Sequence, residues 1–240
     1  MRPVISIVIP TYNERENVRP LVTGIAKALS SMSYEVLFVD DGSPDGTKEE
    51  IERAARESSN VRVTSRKGKL GLGSAVLLGT SRALSDLIIV MDADLQHPPE
   101  VLPAIGEKLM LGCDLVVASR NIRPGGTKGW SVFRKFISWG AKELCYIVLP
   151  ASKSTSDPLS GYFGFRRSIL ENVEFRPKGY KILVEILTRA SYSAVCEVPY
   201  TFEGRKSGKS KLSPREYINF LLLLLDLRHS KPKRSTRPEW

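Results

Sequence analysis

The stretch Leu87–Glu100 reads LIIVMDADLQHPPE, an apolar run that ends in two carboxylates, Asp92 and Asp94. The run has the length and composition of a buried β-strand. Residues i and i+2 of an extended chain share a face, so both carboxylates are expected to point to one place. Such oxygen ligands at the carboxyl end of a strand suit Mg²⁺ or Mn²⁺. The alternative is that Asp94 starts a turn and Asp92 caps a backbone amide.

Two earlier apolar runs also end in polar turns. The run Glu35–Val39 is followed by the acidic turn Asp40–Thr47, DDGSPDGT. A carboxylate there can accept a hydrogen bond from a nucleobase or a ribose hydroxyl, whereas Ser43 or Asp45 is expected to cap the next helix. The first apolar run of the chain leads into Tyr12, whose ring is a candidate to stack on a base.

A glycine-rich segment, Arg66–Gly73, reads RKGKLGLG and precedes a helical pattern. Amides at the start of a helix can bind a pyrophosphate, and Lys67 or Lys69 would neutralise its charge. A plain strand-to-helix turn is the alternative interpretation of this segment.

Apolar strand-like runs alternate with amphipathic helical patterns through the first half of the chain. This alternation predicts an α/β fold with a mostly parallel sheet covered by helices. The predicted strands are Ser6–Pro10, Glu35–Val39, Val61–Ser65, Leu87–Met91 and Leu115–Ser119. The predicted helices lie near Glu16–Leu29, Pro44–Arg56, Gly73–Leu84 and Pro99–Leu111.

The three cysteines, Cys113, Cys145 and Cys196, are far apart and have no paired spacing. This argues against a disulfide framework and against a cysteine-rich zinc site. We therefore predict three reduced thiols in an intracellular protein. Met1 is followed almost directly by the first predicted strand, so we expect no signal peptide.

The charge of the chain, +10 overall, is concentrated at its C-terminal end, where the last 37 residues hold ten Lys and Arg and three Asp and Glu. Within them, the apolar run Ile218–Leu227 is shorter than the roughly 20 residues that span a bilayer. A helix lying on a membrane surface is predicted instead, with a buried core helix as the alternative. The aromatic and basic stretch Trp130–Leu149 predicts a second surface helix, or else ordinary packing at the domain edge.

Three motifs carry a resemblance to a known family. The segments Val8–Glu14, Val39–Ser43 and Met91–Gln96 resemble the nucleotide-sugar-binding motifs of family-two inverting glycosyltransferases. The order and spacing of the motifs are more specific than any one of them.

Within that family, later segments most resemble those of polyprenyl-phosphate glycosyltransferases, of which the dolichol-phosphate mannosyltransferases are the nearest group. These segments are Asp92–Glu100, Asp157–Phe163 and Gly208–Leu212, and the resemblance runs from about Val4 to Leu212. It implies a GT-A-like catalytic domain over residues 1–212, with an amphipathic helix and basic tail over residues 213–240.

The resemblance also implies an activity and a site. The activity is inverting transfer of mannose from GDP-mannose to dolichyl or another polyprenyl phosphate. A Mg²⁺ or Mn²⁺ cofactor would be held by Asp92, Asp94 and Gln96. The predicted nucleotide-sugar-binding residues are Pro10, Tyr12, Glu14, Asp41, Asp92, Ala93, Gln96 and Lys211.

The acceptor decides which side chains the chemistry needs. A sugar hydroxyl generally needs a positioned base, whereas a lipid phosphate is already an anionic nucleophile and needs cations. We predict that Arg120, Arg134 and Arg205 bind this phosphate, because arginine matches phosphate with two parallel hydrogen bonds. The catalytic residues are then Asp94, Arg120 and Arg205. Asp157 remains open as a base or sugar contact, and each arginine can instead form a surface ion pair.

Several alternatives remain at the level of the sequence. UDP-glucose is the alternative donor, a sugar nucleotidyltransferase is the alternative enzyme, and a basic nucleic-acid-binding module fits the tail but not the acidic strand ends. His97 is interpreted as part of the scaffold. The predicted location is peripheral, on the cytoplasmic face of a membrane, either through the surface helices or through a small transmembrane subunit.

Overall fold

The structure, a computed structural model, describes residues 2–176, 181–204 and 214–228. Its strands are β1 Ile5–Thr11, β2 Tyr34–Asp40, β3 Val61–Ser65, β4 Leu87–Val90, β5 Leu115–Ser119, β6 Gly126–Thr127, β7 Phe163–Arg166, β8 Val195–Pro199 and β9 Thr201–Phe202. Its α-helices are α1 Arg15–Ala28, α2 Thr47–Glu57, α3 Leu72–Arg82, α4 Leu102–Met110, α5 Val132–Val148, α6 Ile182–Arg189 and α7 Pro214–Leu227.

The main sheet has seven strands in the order β3-β2-β1-β4-β7-β5-β8. All neighbours are parallel except β7, which runs antiparallel to both β4 and β5. The register places Thr11 beside Asp40 and Val8 beside Val90. The residues that follow β1, β2 and β4 therefore emerge at one edge of the sheet, as the sequence predicts.

Two apolar layers pack on the two faces of this sheet because the side chains of its strands alternate. Ile5, Ile7 and Ile9 of β1 contact the layer that includes buried residues of α1, α2 and α4. Val8 faces the other way, into the layer that includes α3 and α6. The mostly parallel, helix-covered α/β fold is confirmed.

The helices α5 and α7 form a third apolar cluster outside the sheet. Cys145, Leu223 and Leu227 are buried in it together with Val184 of α6. Their other faces carry exposed apolar side chains: Val132, Phe133, Phe136, Trp139 and Ile147 on α5, and Ile218, Leu221, Leu222 and Leu225 on α7. None of the helices in residues 2–176, 181–204 and 214–228 combines the length and apolar character needed to cross a bilayer.

The cysteine prediction was wrong for two of the three residues. Cys113 and Cys196 form a disulfide, with their Cα atoms 6.1 Å apart. The pairing arises because β5 and β8 are neighbours, with Val116 in register with Cys196. Cys145 is a buried free thiol, and burial raises its pKa to about 12.

Candidate active site

A cleft of about 690 Å³ opens where the carboxyl ends of the strands meet. Ten of the predicted site residues lie within the described part of the chain, and all ten line this cleft: Pro10, Tyr12, Glu14, Asp41, Asp92, Ala93, Asp94, Gln96, Arg120 and Arg134. The remaining two, Arg205 and Lys211, fall outside the described residues. The fold thus gathers residues from five separate segments of the sequence.

The two neighbouring carboxylates after β2 have different partners. Asp40 is fully buried and accepts hydrogen bonds from the amides of Gly42 and Ser43, both at 3.1 Å. Asp41 accepts from Arg66 Nε at 2.5 Å and from the Gly71 amide at 3.0 Å. Asp40 therefore shapes the turn, while Asp41 is fixed on the cleft wall by a buried arginine.

The starts of α2 and α3 test two predictions, helix capping by Ser43 or Asp45 and pyrophosphate binding by the amides of Arg66–Gly73. Asp45 accepts from the Thr47 amide at 3.0 Å, so it stabilises the first turn of α2. The Gly71 amide, at the start of α3, already donates to Asp41. Lys69 lines the cleft with its ammonium 4.7 Å from the centre of the Tyr12 ring. At this wall the structure thus offers an aromatic ring and a cation together.

His97 positions the turn that carries the acidic pair. Its Nδ1 accepts from the Asp92 amide at 3.0 Å, and its Nε2 lies 3.8 Å from Asp92 Oδ2. Burial lowers the pKa of His97 to about 4, so the ring is neutral near pH 7. It stacks on Tyr162 at a centroid distance of 5.0 Å. These contacts support His97 as scaffold.

Gln96 is held by a pair of hydrogen bonds. Its side-chain Nε2 donates to the Glu203 carbonyl at 3.0 Å, and the Glu203 amide donates to the Gln96 carbonyl, also at 3.0 Å. Asp94 Oδ1 accepts from the Gln96 amide at 3.2 Å. The bond to Glu203 occupies the side-chain nitrogen of Gln96, so a cation at this turn would be bound by the side-chain oxygen.

The side chains at this turn fit a divalent cation that takes some of its ligands from the protein and the others from a bound substrate. Nowhere in the described ranges do three or more His, Cys, Asp or Glu side chains form a group able to hold a metal alone. Asp92 and Asp94 both line the cleft and supply carboxylate oxygens. Mg²⁺ is commonly bound through one or two carboxylates, with substrate phosphates and water completing its shell. The donor set therefore suits Mg²⁺ or Mn²⁺ next to a diphosphate.

Arg120 and Asp157 form a buried two-pronged ion pair. Arg120 Nε and Nη2 donate to the two oxygens of Asp157 at 2.8 and 2.7 Å, and the Arg120 amide adds a bond of 3.0 Å. Burial lowers the pKa of Arg120, but the hydrogen bonds and charge of Asp157 outweigh it and leave that pKa raised. Burial raises the pKa of Asp157, but Arg120 leaves it lowered. Asp157 is thus an ionised anchor for Arg120 and a poor candidate for a base.

Lys181 is a cleft residue that the sequence analysis missed. It precedes α6, and its Nζ donates to the Leu159 carbonyl at 2.9 Å. Burial, together with the charge of Arg120, lowers its pKa to about 8. No motif marks this lysine, since it is one cation among many in a basic chain.

The fold and the sequence identify the class of this protein. Residues 6–174 match the family described as Glycosyl transferase family 2, and the chain belongs to that family. Dolichol-phosphate mannosyltransferase of Pyrococcus furiosus is 44% identical over 217 residues, which cover 90% of this chain and 61% of the relative. The enzyme of that name from Saccharomyces cerevisiae is 36% identical over 233 residues, covering 92% of this chain and 86% of the relative. The chain thus spans under two thirds of the P. furiosus relative and most of the S. cerevisiae one.

Solved structures with a similar fold confirm the GT-A-like architecture. Glucosyl-3-phosphoglycerate synthase from Mycobacterium tuberculosis, in complex with Mn²⁺, UDP and glucosyl-3-phosphoglycerate, has a TM-score of 0.71 at 21% identity, covering 96% of this chain and 81% of that one. The same synthase with Mg²⁺ and UDP has a TM-score of 0.69, with the same identity and coverage. At this identity the similarity establishes the fold alone.

Proposed function

We propose that this protein transfers mannose from GDP-mannose to dolichyl or another polyprenyl phosphate, with inversion at the anomeric carbon. The observation that carries the proposal is one cleft lined by the strand-end carboxylates Asp92 and Asp94 and by the arginines Arg120 and Arg134. Such a cleft can hold a metal-bound diphosphate and a second phosphate together. The relatives from P. furiosus and S. cerevisiae are named for mannosyl transfer and dolichol phosphate, which supports the proposed sugar and acceptor.

The donor would occupy the wall formed after β1, β2 and β4. Tyr12 would stack on the base. Asp41 already accepts hydrogen bonds from Arg66 and the Gly71 amide, and its carboxylate would accept a further one from the nucleoside. Asp92, Asp94 and Gln96 would hold Mg²⁺ or Mn²⁺, and the bound cation would neutralise charge on the leaving diphosphate. Pro10, Glu14, Ala93 and Lys211 complete the proposed nucleotide-sugar site.

The acceptor phosphate would bind at the arginine side of the cleft. Its oxygen attacks the anomeric carbon while the bond to the diphosphate breaks, so no proton has to be removed from the nucleophile. The commitment of Asp157 to Arg120 agrees with a mechanism without a protein base. Arg120 and Arg134, together with Arg205, would hold the phosphate against the repulsion of the donor diphosphate.

A membrane surface would bring the lipid acceptor to this cleft. The helix α5 contributes Arg134 and Ile137 to the cleft lining and exposes Phe133, Phe136 and Trp139 to solvent. Insertion of these side chains would place the cleft entrance at the level of the lipid phosphate. The basic residues of the chain favour the anionic cytoplasmic leaflet. Docking through a small transmembrane subunit is the competing arrangement.

A sugar-transfer assay tests the proposal directly. The full chain is incubated with a short polyprenyl phosphate and radiolabelled GDP-mannose, UDP-glucose or UDP-N-acetylglucosamine, with Mg²⁺, Mn²⁺ or excess chelator. We expect label in the lipid fraction only with GDP-mannose and a divalent cation. Transfer from UDP-glucose would reassign the donor, and pyrophosphate release from a nucleoside triphosphate and a sugar phosphate would make the protein a nucleotidyltransferase.

A further inference from the structure

Trp130 lies between the two arginines of the cleft. It is half-buried between β6 and α5, and its ring lines the cleft. The Arg134 guanidinium carbon lies 4.1 Å from the ring centre, and that of Arg120 lies 5.5 Å away. The ring of Phe202 meets Trp130 edge to face at 5.5 Å. One indole is therefore in contact distance of both guanidinium groups.

The indole is held by these ring contacts and not by its polar atom. Its Nε1 is buried and has no hydrogen-bond partner among residues 2–176, 181–204 and 214–228. Phe202, which contacts the ring, also lies 5.8 Å from the Arg120 guanidinium carbon. The aromatic pair thus forms one surface that faces the cations.

Stacking leaves the phosphate-binding edges of a guanidinium available. Cation–π contact uses the face of the group, while its N–H donors lie in the plane and point away from the ring. Arg120 commits Nε and Nη2 to Asp157, and no hydrogen bond of its Nη1 is found in the described part of the chain. Arg134 is exposed at the start of α5, where a long side chain without a stacking surface would lose more entropy on binding a ligand.

We propose that Trp130 is a positioning residue that fixes Arg120 and Arg134 for the phosphate of the lipid acceptor. The inference rests on the proposed function, which supplies the acceptor. Trp130 acts through the two arginines, so its loss should affect the acceptor and spare the donor. The negative ring face also reduces the repulsion between two cations that share one phosphate site.

The test compares Trp130→Leu with Trp130→Phe in the full chain. We expect Trp130→Leu to raise the KM for a short polyprenyl phosphate at least tenfold and to change the KM for the nucleotide sugar less than twofold. Trp130→Phe keeps a ring face and should recover most of the loss. If Trp130 only filled space, leucine and phenylalanine would behave alike, and the two substrates would be affected equally; either result would overturn the proposal.

A second aromatic residue provides the matched control. Tyr192 lies outside the cleft lining, packs on the core layer of α3 and α6, and donates to the Leu187 carbonyl at 2.7 Å. Tyr192→Leu should lower the Tm and leave both KM values unchanged. A Tyr192→Leu variant that raised the acceptor KM as Trp130→Leu does would show that lost packing alone produces the effect, and would overturn the proposal.

A double variant and a binding measurement complete the test. In an Arg134→Ala background, Trp130→Leu should raise the acceptor KM by much less than in the wild type, because one of the two arginines that Trp130 positions is gone. Full additivity of the two substitutions would overturn the proposal.

Calorimetric titration with farnesyl phosphate separates the proposed function from the positioning role of Trp130. Binding that Trp130→Leu weakens, in a protein that transfers no sugar, would reject the proposed function and retain the role of Trp130. Absence of phosphate binding to the wild type would reject both.

Discussion

Asp94 is the residue on which the metal hypothesis depends most. Asp94→Ala should reduce sugar transfer more than a hundredfold, since the proposed cation would stabilise the leaving diphosphate by several kcal/mol. The melting temperature should change little, because the Asp94 side chain lines the cleft and the hydrogen bond it accepts from Gln96 is local to this turn. Steady-state transfer rates in Mg²⁺ and in Mn²⁺, together with thermal denaturation, measure both effects.

Asp86 offers a matched control for that substitution. It lies just before the other end of β4, is largely exposed and pairs with Arg167 at 3.3 Å. Asp86→Ala should leave transfer unchanged. Near-wild-type turnover of Asp94→Ala, or full activity of the wild type in excess chelator, would remove the metal from the mechanism.

The lowered pKa of Lys181 predicts that kcat/KM depends on pH, which the sequence alone did not suggest. Its pKa of about 8 means that it is cationic below that pH and loses its charge as the pH rises through it. Because a cation favours anionic substrates, kcat/KM should fall above about pH 8. Lys181→Arg should remove this upper limb, whereas Lys181→Met should lower kcat/KM at every pH. A wild-type profile that stays flat to pH 9.5 would contradict the assignment.

The carboxylates at the ends of β2 and β4 were predictable from the sequence, whereas the ion-pair partners of cleft residues were not. Asp92 and Asp94 were predictable because a buried strand followed by D-x-D is a local pattern. The partner of Asp41, by contrast, is Arg66, which comes from the segment after β3. Neither this ion pair nor the fork between Arg120 and Asp157 has a local signature, since both depend on which loops the fold brings together.

The disulfide between Cys113 and Cys196 is expected to stabilise the packing of β5 and β8. Cys113 and Cys196 are 83 residues apart, and a cross-link of that span stabilises a protein by roughly 4 kcal/mol in the chain-entropy account. Reductant should therefore lower the midpoint of denaturant unfolding of the wild type. Cys113→Ser should show the lower midpoint from the start and respond no further to reductant. Equal midpoints with and without reductant would mean that the two thiols are not joined in solution.

The strands divide sharply by how well the sequence predicts them. The bounds of β3 and β5 agree with the predicted segments, because β5 is a short buried apolar run and β3, VRVTS, begins with alternating apolar and polar residues. The strand β7, FGFR, was not predicted, and its antiparallel insertion between β4 and β5 follows from long-range pairing. The pairing of β8 with β5 was not predicted either, and without it the sequence could not indicate that Cys196 is the partner of Cys113.

At the scale of the whole molecule, the exposed apolar faces of α5 and α7 predict binding to a lipid surface. Phe136→Glu should weaken binding to anionic liposomes about tenfold, since burying a phenylalanine is worth roughly 1.5–3 kcal/mol. Leu111→Glu is the matched control, because Leu111 is 85% exposed but lies at the end of α4. Liposome sedimentation at low and high salt measures the effect. Equal binding of both variants, or binding only in the presence of a second membrane protein, would assign docking elsewhere.

The strand order also has a consequence for how the chain reaches its folded state. The strands β1, β2 and β3 pair with near neighbours in sequence, whereas β4, β7, β5 and β8 are joined by pairings across much longer stretches of chain. Closing long loops costs more entropy, and non-local contacts generally form late. The wall that carries Tyr12 and Asp41 is therefore expected to form early in folding. Asp94 and Arg120 are expected to come together only when the last strands dock, so a partly folded chain would hold the proposed nucleoside wall without the proposed metal and acceptor sites.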